Sequence, residues 1–310
     1  MRFSVDPWDP GYGASLDVDL VPSAVVPVVD VEVPTSEWGP RQPAADTVVP
    51  PAVVFVDGVR RLDARSWISA PDGSETQPGL FASYAAGSVR CDTVATVASV
   101  VVGRCVVSPS RALGTVTTGH ARYDAIGVAD AQPETLNRAI QDAMSAIEIR
   151  VAEAARAEGD ELVVVDGPLR RRDHLPHTIG LVKSHNVRYL PDDLDPVVGR
   201  LGVGERTPVF LVPAAFSRYS WYLRLPGPAD SPWAGIVRCE ASARSSPAEV
   251  VALADVVAAT LPRFASEPHK DARAPQNLYP IGGLERELRR RLGDAALLYR
   301  ALRVAAAAAR

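Results

Sequence analysis

The sequence predicts an α/β protein in which helices flank a mixed β-sheet. Two apolar runs, Val-Val-Phe-Val at residues 53–56 and Leu-Val-Val-Val at residues 162–165, have the composition of strands buried on both faces. Each run leads directly into Asp-Gly. Between them, Pro133 begins a segment with helical apolar periodicity, and proline is favoured in the first turn of a helix. The chain therefore alternates between strand and helix patterns.

Residues 53–128 are expected to form an antiparallel meander, because runs rich in β-branched residues are separated there by Gly, Pro, Ser and Asp. The predicted strands are 53–59, 61–68, 79–89, 94–107, 114–128, 161–166, 180–189 (a strand or a strand–helix junction), 207–213, 219–225 and 235–241. The predicted helices are 133–157, 247–264 and 283–309. In the first helix the apolar positions share one face, and Glu148 lies at the border of that face.

The first 50 residues differ from the rest in composition. They are rich in Pro, Val and Asp, and the density of Pro and Gly in residues 5–13 excludes a helix. Residues 25–33 are too apolar for a disordered tail. We therefore expect an extended N-terminal arm over residues 1–50, wrapping its own domain or a partner, and a single domain over residues 51–310.

The overall composition is that of a globular protein, with a net charge of −4 over 310 residues. Binding of nucleic acid by such a chain requires a local basic surface. No apolar run approaches the roughly 20 residues that span a bilayer, and no secretory signal is recognised, so no membrane association is expected. Three cysteines without metal-ligand spacing fit a reducing cytoplasm.

Three acids stand out by their positions in these elements. Asp57 and Asp166 end the two apolar runs, and Glu148 lies on the helix between them. If the two strands are neighbours, the aspartates converge and repel each other unless a cation or a shared proton neutralises them. A divalent metal with oxygen ligands explains this arrangement. The same order of acids is the plan of the ribonuclease-H-like nuclease fold, in which two metal ions promote phosphodiester hydrolysis. The alternative is that each Asp-Gly pair forms a turn.

A series of short motifs also follows in a fixed order. The motifs are Val-Phe-Val-Asp-Gly (54–58), Glu148, Val-Val-Val-Asp-Gly-Pro-Leu (163–169), Gly-Leu-Val-Lys-Ser (180–184), Trp-Tyr-Leu-Arg-Leu (221–225), Val-Arg-Cys-Glu (237–240) and Leu-Tyr-Pro (278–280). This order resembles the NurA domain family over about residues 50–290. Members of that family are manganese-dependent DNA nucleases with a ribonuclease-H-like core, and they form dimers that act with the hexameric HerA ATPase in DNA end processing.

The resemblance implies a Mn²⁺-dependent deoxyribonuclease, with Mg²⁺ as an alternative ion. Its implied partners are DNA, a HerA-like hexameric ATPase and a second copy of the chain. Carried over by position, the metal ligands are Asp57, Glu148 and Asp166, and Tyr279 matches a family tyrosine near the site. The family often has a histidine shortly after that tyrosine, whereas this chain has Glu-Arg-Glu at residues 285–287. The late part of the site therefore departs from the family pattern.

Arginines follow both aspartates closely in the sequence. The candidate DNA-binding residues are Arg60, Arg61, Arg170, Arg171 and Arg172. The first two come after Asp57 and the other three come after Asp166. This placement predicts a phosphate-binding surface beside the acids. The alternative for each arginine is an ordinary solvated surface charge.

Lys183 is one of only two lysines in the chain. As a compact cation it is expected to approach a scissile phosphate or the attacking water, which makes it a candidate catalytic residue. The alternative is a surface lysine. His174 and His177 have a loosely metal-like spacing, but no third ligand lies nearby in the sequence, so they are interpreted as surface loop residues.

Two other functions compete with the nuclease hypothesis. A non-catalytic NurA-like adaptor would bind DNA and an ATPase without cutting; the missing histidine favours it and the three acids oppose it. An actin-like ATP-binding fold also uses Asp-Gly turns at strand ends. It requires a second copy of the meander, which residues 167–310 do not supply.

Overall fold

The computed structural model describes residues 16–159, 161–227, 233–271 and 273–308. The part of the predicted arm before residue 16 lies outside them. Within this part of the chain, none of the helices is long and apolar enough to cross a membrane. The chain divides into two interleaved compact units. The first unit contains Met1–Phe55, Arg90–Thr96 and Ala152–Gly282, and the second contains Val56–Val89, Val97–Val151 and Gly283–Arg310.

The strands belong to two sheets. The strands are β1 (Leu16–Pro22), β2 (Val53–Ser69), β3 (Thr76–Cys91), β4 (Ala95–Ser108), β5 (Val116–Thr117), β6 (Arg122–Gly127), β7 (Leu162–Asp166), β8 (Thr178–Val182), β9 (His185–Arg188), β10 (Phe210–Val212), β11 (Arg218–Arg224) and β12 (Ile236–Ser242). Ten of them form one sheet in the order β10-β11-β12-β8-β7-β2-β3-β4-β6-β5, and β1 pairs with β9 in a small second sheet. The large sheet is mixed, because β7–β8 and β4–β6 are parallel while β8–β12 and β10–β11–β12 are antiparallel.

Five helices accompany the sheets in the described residues. The helices are α1 (Pro133–Ala157), α2 (Pro196–Gly199), α3 (Pro247–Thr260), α4 (Tyr279–Arg291) and α5 (Ala295–Ala308). Short 3-10 turns cover Thr35–Glu37 and Leu261–Phe264. The predicted mixed sheet flanked by helices is thus confirmed, and the more specific ribonuclease-H-like topology stays a prediction.

In the first unit, the arm residues that the structure describes pack on their own unit. Trp38 is buried beside Phe210, and its indole nitrogen donates a hydrogen bond to the Val29 carbonyl at 2.9 Å. The buried Arg206 donates to both carboxylate oxygens of Glu32, at 2.8 and 3.0 Å. A buried charge of this kind requires such a partner. The arm is therefore anchored to its own unit at Trp38 by apolar burial and at Glu32 by a charged pair.

In the second unit, α1 covers one face of the strands that follow β2. Leu136 and Ile140 of α1 pack in one cluster with Leu80, Cys105 and other apolar residues. The predicted helix bounds of 133–157 are confirmed. Most of its predicted apolar face is buried, as expected for a helix whose apolar positions recur every three or four residues.

Three features of the second unit differ from the sequence predictions. β2 is a single strand, Val53–Ser69, where two strands meeting at residue 60 were predicted. β6 lies parallel to β4, so the meander is not antiparallel throughout; the short β5 makes the antiparallel pair with β6 instead. The predicted helix 283–309 is interrupted at Gly293, which has φ +83° and separates α4 from α5.

Candidate functional site

Asp57 lies within β2 rather than at the end of a strand. It is 6% exposed, and its neighbours Val56 and Val59 are buried. One of its carboxylate oxygens accepts the backbone N–H of Gly58 at 2.7 Å. The Asp57-Gly58 pair is therefore not a turn, and the strand holds an acid in buried surroundings, where an ionised carboxylate needs compensating charge or hydrogen bonds.

Glu148 reaches β2 from α1, and Gly58 makes room for it. A Cβ atom at position 58 would lie 2.2 Å from the Oε1 atom of Glu148, which is closer than any real contact. Glu148 is 7% exposed. The sequence prediction that Glu148 is the acid on α1 able to lean over the sheet agrees with this contact. The glycine after Asp57 thus serves close packing, not a turn conformation.

Glu285 is a candidate site residue to which the sequence analysis assigns no role. It lies in the second turn of α4, and one of its carboxylate oxygens is within 4.8 Å of an oxygen of Asp57. It occupies the stretch in which the family pattern has a histidine. Two features of the sequence mark it: it follows Tyr279 by six residues, and its carboxylate can bind a metal ion through oxygen where a histidine would use nitrogen.

Among the described residues of the second unit, Asp57 and Glu285 bring carboxylate oxygens within 4.8 Å of each other, close enough to bind one metal ion. Asp166 of the first unit is a further ligand that the resemblance implies. Glu148, also predicted as a ligand, packs against Gly58 instead of joining the Asp57 and Glu285 oxygens. Carboxylate oxygens are hard donors that suit Mg²⁺ and Mn²⁺ better than Zn²⁺, so the donor chemistry fits the ions implied by the resemblance.

Asp166 ends β7 and forms an ion pair within the first unit. The ammonium of Lys183 donates to its Oδ2 atom at 2.6 Å, and the two side chains are only 16% and 8% exposed. The pairing follows from the parallel register, in which Asp166 lies opposite Leu181, so that Lys183 is two residues further along at the same end of the strands. Lys183 is therefore not a surface lysine.

Lys183 has a second partner in the loop before α4. Its ammonium donates to Asn277 Oδ1 at 2.7 Å, and Asn277 is fully buried. The amide nitrogen of Asn277 donates in turn to Asp271 Oδ2 at 2.8 Å. Asp271 also accepts the backbone N–H of Arg273 at 2.8 Å. These contacts form a chain of hydrogen bonds from Asp271 to Asp166, which we call the lysine chain.

The turn after Asp166 is held by a buried carboxylate. Glu240 accepts the backbone N–H of Leu169 at 3.0 Å and the guanidinium groups of Arg218 and Arg238 at 2.7 and 2.6 Å. Burial acts to raise the pKa of Glu240, but the two arginines and the Leu169 N–H outweigh it, so the pKa is lowered. A Cβ atom on Gly180 would lie 2.4 Å from the Leu169 nitrogen, so β8 needs glycine where this turn crosses it.

The predicted DNA-binding arginines differ in their surroundings. Arg60, Arg170 and Arg171 are exposed. Arg61 is bound within its own unit, because it donates to Asp63 at 2.9 Å and to the Gly293 carbonyl at 2.8 Å. Arg172 is buried, at 5% exposure. Of the five predicted residues, only Arg60, Arg170 and Arg171 are therefore exposed, while Arg61 is held against the turn between α4 and α5.

Tyr279 and the two histidines lie at the protein surface. Tyr279 begins α4 at 38% exposure, and its hydroxyl accepts a hydrogen bond from Lys270 at 3.1 Å. This hydrogen bond is the largest cause of the raised pKa of Lys270. His174 is exposed with Nε2 3.1 Å from a Glu153 oxygen, and His177 is exposed with φ +48°.

No family model matches the sequence, and no curated protein does. The NurA resemblance therefore rests on the short motifs alone and stays a prediction, as do the activity and the partners that it implies.

Proposed function

We propose that the protein is a metal-dependent deoxyribonuclease in which Asp57, Asp166 and Glu285 together hold a divalent ion, Mn²⁺ or Mg²⁺. The observation that carries this proposal is the close approach of the Asp57 and Glu285 carboxylates, whose oxygens lie within 4.8 Å of each other. Asp166 is added as the third ligand because the resemblance implies it. A divalent cation bound by neighbouring carboxylates stabilises their ionised forms. When bound, such an ion polarises a phosphodiester and lowers the pKa of a water molecule.

Other residues of the chain would bind and orient the DNA phosphates. Lys183 supplies a cation that can contact the phosphate, because its ammonium is held beside Asp166. Arg170 and Arg171 are exposed and can bind neighbouring phosphates of the DNA backbone. Glu148, packed against Gly58, can orient a ligand or a water through its carboxylate without itself being one of the three ligands.

The proposed partners follow from the resemblance. A HerA-like hexameric ATPase would supply DNA to the nuclease in end processing, repair or defence. A homodimer is proposed on the same basis, and exposed apolar side chains in the second unit support it. These are Trp67 at 74%, Val304 at 63% and Tyr299 at 48% exposure. Apolar surface of this kind is typical of protein interfaces.

A second candidate function is the non-catalytic NurA-like adaptor, which binds DNA and an ATPase without cutting. One observation favours it. The charge of Asp166 is already balanced by Lys183 at 2.6 Å, and a lysine can replace a cation in a site that has lost its activity. The two candidates differ in whether a metal ion is required.

The deciding experiment is cleavage of linear DNA with Mn²⁺, Mg²⁺, Ca²⁺ or excess chelator. We expect cleavage with Mn²⁺, weaker cleavage with Mg²⁺ and none with Ca²⁺ or chelator. Asp57→Asn should abolish cleavage and weaken Mn²⁺ binding, measured by electron paramagnetic resonance, without unfolding the protein, because it keeps the size of the side chain. Cleavage by Asp57→Asn, or in chelator, would refute the metal site. DNA binding without cleavage in any ion would favour the adaptor.

A further inference from the structure

We propose that Asn277 is a positioning residue that sets how Lys183 shares its charge between Asp166 and the substrate. The inference rests on the proposed function for its activity readout, while its metal-binding and stability readouts do not need cleavage. Asn277 belongs to none of the sequence motifs. Its importance follows from its place in the lysine chain, between Lys183 and Asp271.

The orientation of the Asn277 amide is determined by its two neighbours. An asparagine amide has one acceptor oxygen and one donor nitrogen. The ammonium of Lys183 can only donate, so it requires the oxygen, at 2.7 Å. The carboxylate of Asp271 accepts, so it requires the nitrogen, at 2.8 Å. The reversed orientation would place donor against donor and acceptor against acceptor.

This orientation leaves the ammonium with a defined distribution of hydrogen bonds. Lysine has three N–H donors, and two of them are used by Asp166 Oδ2 and Asn277 Oδ1. Among the described residues the third donor has no partner. It is the one that a phosphate oxygen of a substrate would take.

The side chain of Asn277 is uncharged, which determines where Lys183 places its charge. Because an amide attracts an ammonium less strongly than a carboxylate does, Lys183 neutralises Asp166 and not residue 277. Lys183 and a metal ion would then compete for the negative charge of the Asp166 carboxylate, which Lys183 contacts through Oδ2. When Lys183 releases Asp166, Asn277 keeps the ammonium nearby, where it can face the phosphate. Asn277 therefore tunes both metal affinity and catalysis.

A charge-conserving swap tests this role. The double variant Asp271→Asn/Asn277→Asp exchanges the two side chains, so that the amide now at position 271 donates to the carboxylate now at position 277, and the net charge of the protein is unchanged. The new carboxylate binds Lys183 with a full negative charge and draws it away from Asp166. Asp271→Asn alone is the matched control, because it keeps the hydrogen bond to Asn277 without placing a carboxylate beside Lys183.

We expect opposite changes in two measurements. The double variant should bind Mn²⁺ several-fold more tightly, because Lys183 no longer occupies Asp166. Its kcat for cleavage should fall about tenfold with KM little changed, because Lys183 is held away from the phosphate. The control should stay near wild type in both. A purely structural role predicts that Mn²⁺ affinity, kcat and melting temperature fall together, and that result, or no change in either measurement, overturns the inference.

Lys183→Met provides an independent check if the swap does not fold. Removal of the ammonium should tighten Mn²⁺ binding and abolish cleavage; weaker Mn²⁺ binding would show that Lys183 does not compete for Asp166. Wild-type protein that neither binds Mn²⁺ nor cleaves would refute the proposed function itself. An active wild type with an unaltered swap would refute only the role of Asn277.

Discussion

Glu285 and Glu287 are two residues apart on α4, yet their surroundings differ. Glu285 approaches Asp57, whereas Glu287 is bound by Arg290 and Arg291, which lower its pKa to about 2. We predict that Glu285→Gln weakens Mn²⁺ binding by at least about tenfold, since it removes one ligand charge. Glu287→Gln should leave Mn²⁺ binding unchanged and is the matched control. Equal affinities of the two variants in a Mn²⁺ titration would remove Glu285 from the site.

Gly58 and Gly180 are both crowded, but by different kinds of atoms. An added Cβ would meet the side-chain carboxylate of Glu148 at position 58 and the backbone nitrogen of Leu169 at position 180. We predict that Gly180→Ala costs about 1–3 kcal/mol of unfolding free energy or more, as expected for overpacking against backbone. Gly58→Ala should cost less stability and instead reduce metal-dependent cleavage by moving Glu148. Urea unfolding and a cleavage assay on both variants separate these effects, and the reverse ranking would contradict them.

At this scale, the sequence singles out residues whose chemistry and position coincide. Asp57, Asp166 and Lys183 stood out because acids followed matching apolar runs and because lysine is rare in the chain. The sequence alone does not single out Glu285 or Asn277, because the residues that they contact lie far away in the sequence. Lys183 and Asn277 are 94 positions apart, and no local pattern reports such a contact.

The turn between β7 and β8 depends on the charge of Glu240. Since its pKa is lowered in the folded protein, its contribution to stability is present above the unfolded value, 4.5, and is lost as the pH falls through the lower folded pKa. We predict that Glu240→Gln, which leaves Arg218 and Arg238 without their counter-charge, costs about 3–5 kcal/mol at pH 7. The difference from wild type should shrink in acid, where Glu240 becomes neutral too.

Urea unfolding at neutral pH and in acid, below the unfolded pKa of Glu240, measures this difference. Glu158→Gln is a suitable control, because Glu158 is exposed just after α1 and should be silent under both conditions. A stability loss that is the same in both would show that the shape of residue 240 matters and not its charge.

The elements themselves were predicted best where the local pattern is unambiguous. The bounds of α1 follow from Pro133 and a continuous apolar face. The Asp-Gly pair in β2 was wrongly placed at the end of a strand. Glycine is favoured both in a turn and where another side chain, here Glu148, approaches the backbone closely. The break between α4 and α5 did have a signal: Gly293 at positive φ followed by Asp294, whose side chain accepts the Leu297 N–H at 2.7 Å as a helix N-cap.

At the scale of the whole molecule, a net charge of −4 restricts DNA binding to local groups of arginines. We predict that Arg170→Ala/Arg171→Ala weakens DNA binding and lowers the slope of log affinity against log salt by about 0.9 for each phosphate that is no longer neutralised. Arg61→Ala should leave that slope unchanged and lower stability instead, because Arg61 is bound to Asp63 and to the Gly293 carbonyl.

Fluorescence anisotropy of a labelled duplex over a range of salt concentrations measures both effects. The experiment is best done in chelator, so that cleavage does not interfere. A reduced salt slope in Arg61→Ala, with no change in the Arg170→Ala/Arg171→Ala protein, would place the phosphate contacts on β2 and not on the turn after β7.

The scarcity of lysine makes the buried ion pair directly observable. Only two lysine side chains are present, and their exposed fractions are 8% for Lys183 and 53% for Lys270. An amine-acylating reagent therefore reacts readily with Lys270. It reacts with Lys183 only while that side chain is released from Asp166 and Asn277. The rate of acylation at Lys183, followed by the mass of a single peptide with Lys270 as internal standard, records how often that release occurs. A ligand that occupies Asp166 should change this rate even in a protein that never cuts DNA.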